Sequence, residues 1–316
     1  MTGVWRDGHA ISTAFAPASV GNVAIGFDIL GFSFDAIGDR ATVRRVRESG
    51  VRIKSIHGVV RDLPLEAARN TAGRALLAMR ETLQLQEGFE LELEKGIPLA
   101  SGLGGSAASA VAAVVAANAL LARPCEQLEL LKFAMQGEAV ASGSMHVDNI
   151  APSLFGGLVL TVGIDQPRIK QIPVPPGIRA VIVHPHMAVS THMARAILSR
   201  NVELADFVWQ TAHLAGFISG CYTNDLDMLR ASFEDVVIER QRAALIPGFV
   251  EVRHASLSAG AIGCSISGAG PTVFAWSLEE RAEPVRAAMV AAFERHGLSS
   301  DHWITALSPT GARLLD

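Results

Sequence analysis

One segment constrains this chain more than any other. Phe89-Glu90-Leu91-Glu92-Leu93-Glu94 alternates apolar and acidic residues, passes through Gly96-Ile97-Pro98, and reaches Gly102-Leu103-Gly104-Gly105-Ser106-Ala107. An apolar stretch follows at once. Period-two alternation predicts a strand with one face buried and one in water. The stretch from about Ser106 is apolar on nearly every face, which predicts a helix deep in its domain. A glycine loop between them lets backbone N–H groups converge on an anion, and the helix N-terminus adds a favourable partial charge.

Three readings of that loop compete. The pattern G-x-G-x-x-A formally fits dinucleotide binding, but the preceding strand alternates with glutamates where a central parallel strand is apolar on both faces. The acidic residue expected about 20 positions on would also fall in the next helix rather than at a strand end. A Walker A loop needs a lysine that is absent here. The third reading is a tight turn entering a helix, with no ligand.

Composition narrows the class. Hydrophobic residues make up 49% and charged residues 18% of 316, so the chain has material for a packed core. At roughly 150 residues per domain, that length suits about two domains. The net charge of −4, with no basic run, argues against a nucleic acid partner. Cys125, Cys221 and Cys264 are odd in number and far apart, which argues against a disulfide framework and points to a reducing compartment. The N-terminal stretch lacks the continuous apolar core of a signal peptide. The most apolar segment, Ala107 to Ala122, falls short of the ~20 residues of a membrane span. The expectation is a soluble, cytoplasmic protein.

Further elements follow from pattern. Strands are expected around Val43, around Val51 and Ile53, at Leu158 to Leu160, at Ala180 to Val183 and at Val273 to Trp276. Helices are expected at Asn70 to Leu83, Glu126 to Ala141, Val189 to Leu198, Leu204 to Cys221, Leu226 to Ala244 and Val250 to Ala259. A helix at Glu283 to His296 is expected to close the chain. The proline-rich stretch Gln166 to Gly177 is expected as an edge segment or domain junction.

Three segments decide between the readings of the loop. They are Pro17-Ala18-Ser19-Val20-Gly21-Asn22-Val23-Ala24-Ile25-Gly26-Phe27-Asp28, then Pro98 to Ala108, then Ser267-Gly268-Ala269-Gly270-Pro271-Thr272. In this order and spacing they resemble the three motifs of the GHMP kinase superfamily. Within it the chain is similar to the homoserine kinase family over nearly its whole length. The discriminating residues are Asn22 with Asp28, His146-Val147-Asp148-Asn149-Ile150-Ala151-Pro152, Thr191 to Leu198, and Arg242 to Gly248.

The resemblance implies an α+β, two-domain GHMP kinase fold. It comprises an N-terminal ATP-binding domain over 1–170 with a left-handed βαβ crossover, and a C-terminal α+β domain over 171–316. That handedness runs against the usual rule for parallel strands, so pattern alone does not yield it. The active site is expected between the domains, with ATP and Mg²⁺ as cofactors and L-homoserine as substrate. Homodimers are frequent in the family.

Residue by residue, the resemblance makes Ser101, Gly102, Leu103, Gly104, Gly105, Ser106 and Ala107 the phosphate cradle, with Pro98 at its edge and Asn70 at the adenosine. The family usually carries a second serine where this chain has Gly105, which removes a hydroxyl and keeps the N–H. Glu138 and Ser106 match the magnesium site. Asn149 stands where sugar and mevalonate kinases carry an aspartate proposed as base, and an amide takes no proton at neutral pH. Catalysis is therefore expected to rest on orientation and charge stabilisation by Asn149, Glu138 and Ser106. Arg195 and Arg242 match the substrate carboxylate, Asp28 its ammonium, and Asn22, Asn149, His146 and Thr191 the rest of the pocket.

Each assignment has a plainer counterpart. A glutamate on an amphipathic helix is commonly a solvated face, an arginine on a helix is commonly a surface charge, and Asn70 suits a helix N-cap equally well. His184, His186 and His192 lack a nearby carboxylate or cysteine in sequence, so zinc is disfavoured. The alternatives to a homoserine kinase are a kinase of another small alcohol, a non-catalytic nucleotide-binding protein, and an NAD-dependent oxidoreductase.

Overall fold

The structure, a computed structural model, describes residues 4–142, 147–163, 166–307 and 310–315. The chain opens with β1 (Ile11–Gly21), the long β2 (Leu30–Val46) and β3 (Val51–Gly58). Then come α1 (Thr71–Leu83), β4 (Gly88–Lys95), α2 (Gly105–Asn118), α3 (Gln127–Ser142) and α4 (Val147–Phe155). Strands β5 (Leu158–Val162) and β6 (Arg168–Ile172) complete the first part. The second part runs β7 (Ile178–Pro185), α5 (Thr191–Ala196), α6 (Leu204–Thr223), α7 (Leu226–Ser232), α8 (Glu239–Arg242) and α9 (Phe249–Ser258). It ends with β8 (Gly263–Ile266), β9 (Val273–Leu278), α10 (Glu279–Arg295), β10 (Ser300–Thr305) and β11 (Arg313–Leu314).

The first sheet runs β11-β1-β2-β4-β3, with β5 pairing β2 and β6 pairing β5. It is mixed: β3 and β4 are parallel across the α1 crossover, and the other pairs are antiparallel. The β1–β2 register shifts between Pro17 and Ala18. Proline supplies no ladder N–H, so a bulge there is the expected response. Helix α2 packs on β1 and β2, and ten of its residues are buried, as its all-round apolar sequence predicts.

The second sheet, β10-β7-β9-β8, is antiparallel throughout. Alternation along β9 splits the core in two. Val273 and Ala275 join the cluster under α9 and α10. Phe274 and Trp276 face the other way, into the cluster that contains the first sheet. There the ring of Phe32, from β2, lies 5.5 Å from Phe274 and 5.9 Å from Trp276. These edge contacts fasten the two sheets together.

Several expectations need correction. The acidic face of β4 is only partly in water: Glu92 and Glu94 are half-exposed as the alternation predicts, but Glu90 is buried, and the neighbouring strands supply Arg52 to Glu90, Lys54 to Glu92 and Arg40 to Glu94. The helix expected over Leu226 to Ala244 breaks after Ser232. The Asp235 carboxylate accepts from the N–H groups of Val237, Ile238 and Glu239 and starts α8 afresh. The chain does not end on a helix either, since β10 extends the second sheet and β11 returns to β1. Among the described residues, no helix is long and apolar enough to cross a membrane.

Candidate active site

The glycine loop leaves β4 over a buried ionic knot. Asp39, from β2, accepts from the N–H groups of Gly96 (3.0 Å) and Ile97 (3.2 Å). It also accepts from the Ser109 hydroxyl (2.7 Å) and pairs with the Lys95 ammonium. Lys95 Nζ in turn donates to Gly105 O and Ser109 Oγ, each at 2.8 Å. A buried ion pair persists only when its remaining donors and acceptors are satisfied, and here they are.

The third glycine-rich segment holds the loop from the side. Ser267 Oγ donates to Gly102 O at 2.7 Å, and the Thr272 N–H donates to Ser101 O at 3.2 Å. Gly102 has φ +79°, and a Cβ there would lie 2.5 Å from Ser267 O, so both conformation and space require glycine. Gly104 occupies the N-cap of α2 and supplies no side-chain cap. The first N–H groups of α2 are thus left for a ligand, the arrangement that binds anions.

This loop forms one wall of a cavity of about 560 Å³. Ser101 to Ser106 and Pro98 line it, as does Asn70. Ala107 does not; its side chain lies in the core. Asn70 caps α1 by accepting from the N–H groups of Ala72 and Gly73, and its Nδ2 donates to Pro64 O at 3.0 Å. Glu138, on α3, is buried at the cavity wall and accepts from the Ser106 hydroxyl at 2.7 Å. It is therefore not a solvated surface glutamate.

The opposite end is built from side-chain charge. Arg195, on α5, donates through Nη2 to both oxygens of Asp28, at 2.7 and 2.9 Å. Arg242 closes α8 and is buried; it donates to Ala194 O (3.0 Å) and Gly268 O (2.9 Å). Both guanidiniums lie over the Phe27 ring, at 5.2 and 5.1 Å, within cation–π range. Burial, and then the charge of Arg195, lowers the Arg242 pKa, while Asp28 and Asp148 oppose the shift. Asn22 fixes the segment: its Nδ2 donates to Gly268 O at 2.9 Å and its Oδ1 accepts from the Asp28 N–H at 3.1 Å.

Asn149 stands between the two ends in the first turn of α4. Its Oδ1 accepts from Ser19 Oγ at 3.0 Å. Thr191 opens α5 at the cavity wall, behind the Ser190 cap. His146 lies outside the described residues. The sequence reading missed Asp148, a buried carboxylate at the wall, although it sits inside the run that contains Asn149. It also missed Lys95 and the segment Leu63, Pro64 and Arg69 leading to Asn70. Lys95 carries a signal in retrospect, as the one basic residue ending an otherwise acidic alternation. Of the three histidines, His184 and His186 meet edge-on at 6.4 Å, His184 Nδ1 meets Thr272 Oγ1 at 3.1 Å, His186 pairs with Asp301, and His192 lines the cavity.

An uncapped helix behind a glycine loop, facing paired arginines across one cavity, describes a phosphotransferase of the GHMP type. The family models "GHMP kinases N terminal domain" and "GHMP kinases C terminal" match residues 70–157 and 217–295. Homoserine kinase of Xylella fastidiosa (strain M12) is 50% identical over 303 residues, 96% of this chain and 93% of its own. That of Xanthomonas campestris pv. campestris (strain B100) is 49% identical, over 98% of both chains. The crystal structure of homoserine kinase from Cytophaga hutchinsonii superimposes with a TM-score of 0.94 at 42% identity, over 98% of this chain and 99% of that one. This chain belongs to the homoserine kinase family of the GHMP kinases.

Proposed function

We propose that the cavity takes ATP at the glycine-loop end and L-homoserine at the charged end. The γ-phosphate passes to the side-chain hydroxyl, giving O-phospho-L-homoserine and ADP, a step towards threonine. The observation that carries this reading is the joining, in one cavity, of an uncapped helix N-terminus with two guanidiniums and a carboxylate. A nucleotide's phosphates suit the first. A small zwitterion, with one carboxylate and one ammonium, suits the second.

In this reading Asn70 borders the adenosine, and Pro98 and Ser101 to Ala107 cradle the phosphates. The Glu138 carboxylate and Ser106 hydroxyl are hard oxygen donors 2.7 Å apart at the cavity wall, a set that fits Mg²⁺. An ion held by Glu138 and Ser106 would supply positive charge to offset that of the phosphates. Arg242 and Arg195 receive the homoserine carboxylate. Asp28 exchanges part of its pairing with Arg195 for the ammonium, so the resting ion pair stands in for the two charges of the substrate. Asn22, Asn149 and Thr191 orient the hydroxyl, and His146 completes the pocket.

As the bond from γ-phosphorus to the ADP oxygen breaks, the bond to the homoserine oxygen forms, and the hydroxyl proton leaves to a phosphate oxygen. Asn149 cannot receive it. Loss of activity in Asn149→Ala, rescued in Asn149→Asp with a new acidic limb in the pH profile, would overturn that last step.

The first sheet and its helices, running through Ile172 at the end of β6 and rejoined by β11, act as the ATP-binding domain. The remainder acts as the C-terminal domain of a cytoplasmic enzyme, and light scattering tests for a homodimer. The deciding assay is ADP release with homoserine, mevalonate, galactose and a diphosphocytidyl sugar alcohol. Turnover with homoserine is expected. Silence with homoserine and turnover with another alcohol sinks the substrate assignment.

A further inference from the structure

The one-turn helix α8 carries Arg242 to the acceptor end of the cavity. So short a helix has no stability of its own, and its attachments fix where Arg242 stands. At its start, Asp235 accepts from the N–H groups of Val237 and Ile238, both at 2.8 Å, and of Glu239 at 3.2 Å. On the side away from the cavity, Glu239 accepts a hydrogen bond from the Ser265 hydroxyl of β8. It also faces Arg253 Nε of α9 at 3.4 Å.

We propose that Glu239 is a positioning residue for phosphoryl transfer: by fastening α8 to β8 and α9 it holds the Arg242 guanidinium where the acceptor carboxylate docks. The inference rests on the role given to Arg242 above. Glu239 is three residues before Arg242 and does not line the cavity.

The charged groups around Glu239 are Arg253 on α9 and, on its own side, Asp235 and Glu234. The buried Cys264 thiol beside them is pushed up to about 12 and stays neutral. Burial raises the Glu239 carboxyl to about 7; Ser265 and Arg253 restrain the shift, and Asp235 and Glu234 add to it. Above that pH the carboxylate attracts Arg253 and accepts from Ser265. Below it the carboxyl is neutral and the attraction to Arg253 is gone.

The effect on stability runs the other way. A carboxyl whose pKa is raised on folding stabilises most below its unfolded value and loses that contribution as pH rises through the folded value. Glu239→Gln removes the loss, so at about pH 8 this variant is expected to melt no lower than the parent. A purely structural glutamate gives no reason for substrate affinity to fall at the same time.

The test measures kcat and both KM values for the full chain and for Glu239→Gln, from about pH 6 to about pH 8. For the parent, homoserine KM is expected to fall about tenfold as pH rises, with ATP KM flat. Glu239→Gln is expected to hold a raised homoserine KM throughout, with kcat and ATP KM within about twofold of the parent. The difference between the two proteins separates Glu239 from other groups titrating in that range. A variant with the parent's homoserine KM, the same pH step in both proteins, or equal losses for both substrates overturns the proposal. A parent protein silent on homoserine overturns the reading of Arg242 and this inference with it.

Discussion

The two ends of the cavity present charge by opposite means. At the glycine-loop end the elements are backbone N–H groups and a helix terminus, held by Asp39 and Lys95 beneath and by Ser267 and Thr272 beside. At the acceptor end they are three charged side chains, Asp28, Arg195 and Arg242, drawn from remote parts of the chain. The difference follows from the ligands proposed. A polyphosphate is served by several preorganised dipoles along one loop. A small zwitterion needs two opposite charges at a fixed separation, which calls for side chains. A chain of net charge −4 can therefore hold ATP without a basic patch.

The largest expected effect tests the support of the nucleotide end. Lys95→Met strands the Asp39 carboxylate, which is fully buried. Leaving one partner of a buried pair uncompensated costs about 3–5 kcal/mol. Urea melts should show that loss, and replacing Asp39 as well should recover part of it. A loss under about 1 kcal/mol would mean that the remaining hydrogen bonds to Asp39 suffice without the lysine.

Next in size is Glu138→Gln, which keeps the shape and removes the charge. If Glu138 holds the metal, kcat should fall roughly 10²–10³-fold, with a higher Mg²⁺ requirement. Stability should barely move. An unchanged magnesium titration would remove Glu138 from that role.

Arg242→Ala then sets the ends against each other. Losing a charge-assisted contact to the substrate carboxylate costs about 2 kcal/mol, or ~30-fold in homoserine KM. ATP KM should stay within about twofold, because Arg242 meets the glycine segment only through Gly268 O. Equal losses for both substrates would show that the two ends are not separable.

The same contrast explains what was legible in sequence. The glycine-loop end is local: loop and helix start lie within a dozen positions, and pattern narrowed them to a few readings between which the resemblance decided. Asn70 was legible for a similar reason, since its cap is made to the next two N–H groups but one. The acceptor end was not. Asp28 meets Arg195 across 167 positions, and only a resemblance brought them together. Of the β4 glutamates only Glu90 misled: it is buried because Arg44 and Arg52 reach it from the neighbouring strands, which the pattern of one strand does not show. In the turn before Asp28, the left-handed backbone falls on Asn22, Val23 and Ala24 rather than on Gly26. A β-branched residue at positive φ is rarely chosen freely; here Asn22 is tied to Gly268 and to the Asp28 N–H. Gly26 is needed instead because a Cβ there would fall on Leu30. The break between α7 and α8 depends on Asp235 capping, which pattern did not separate from helix.

The smallest effect on stability is the sharpest test of the acceptor end. The Asp28–Arg195 pair is about one-third exposed on each side, and such pairs contribute less than about 1 kcal/mol to folding. Asp28→Asn should therefore melt within a few degrees of the parent. Its effect on substrate choice should be larger. 4-Hydroxybutyrate has the carboxylate and hydroxyl of homoserine but no ammonium. The parent should discriminate strongly against it, and Asp28→Asn should narrow that gap by about tenfold through weaker use of homoserine. If the gap stays as wide, Asp28 does not face the ammonium. Its part would then be to orient Arg195, and the zwitterion's positive charge would have to be met by another carboxylate of the cavity, the buried Asp148.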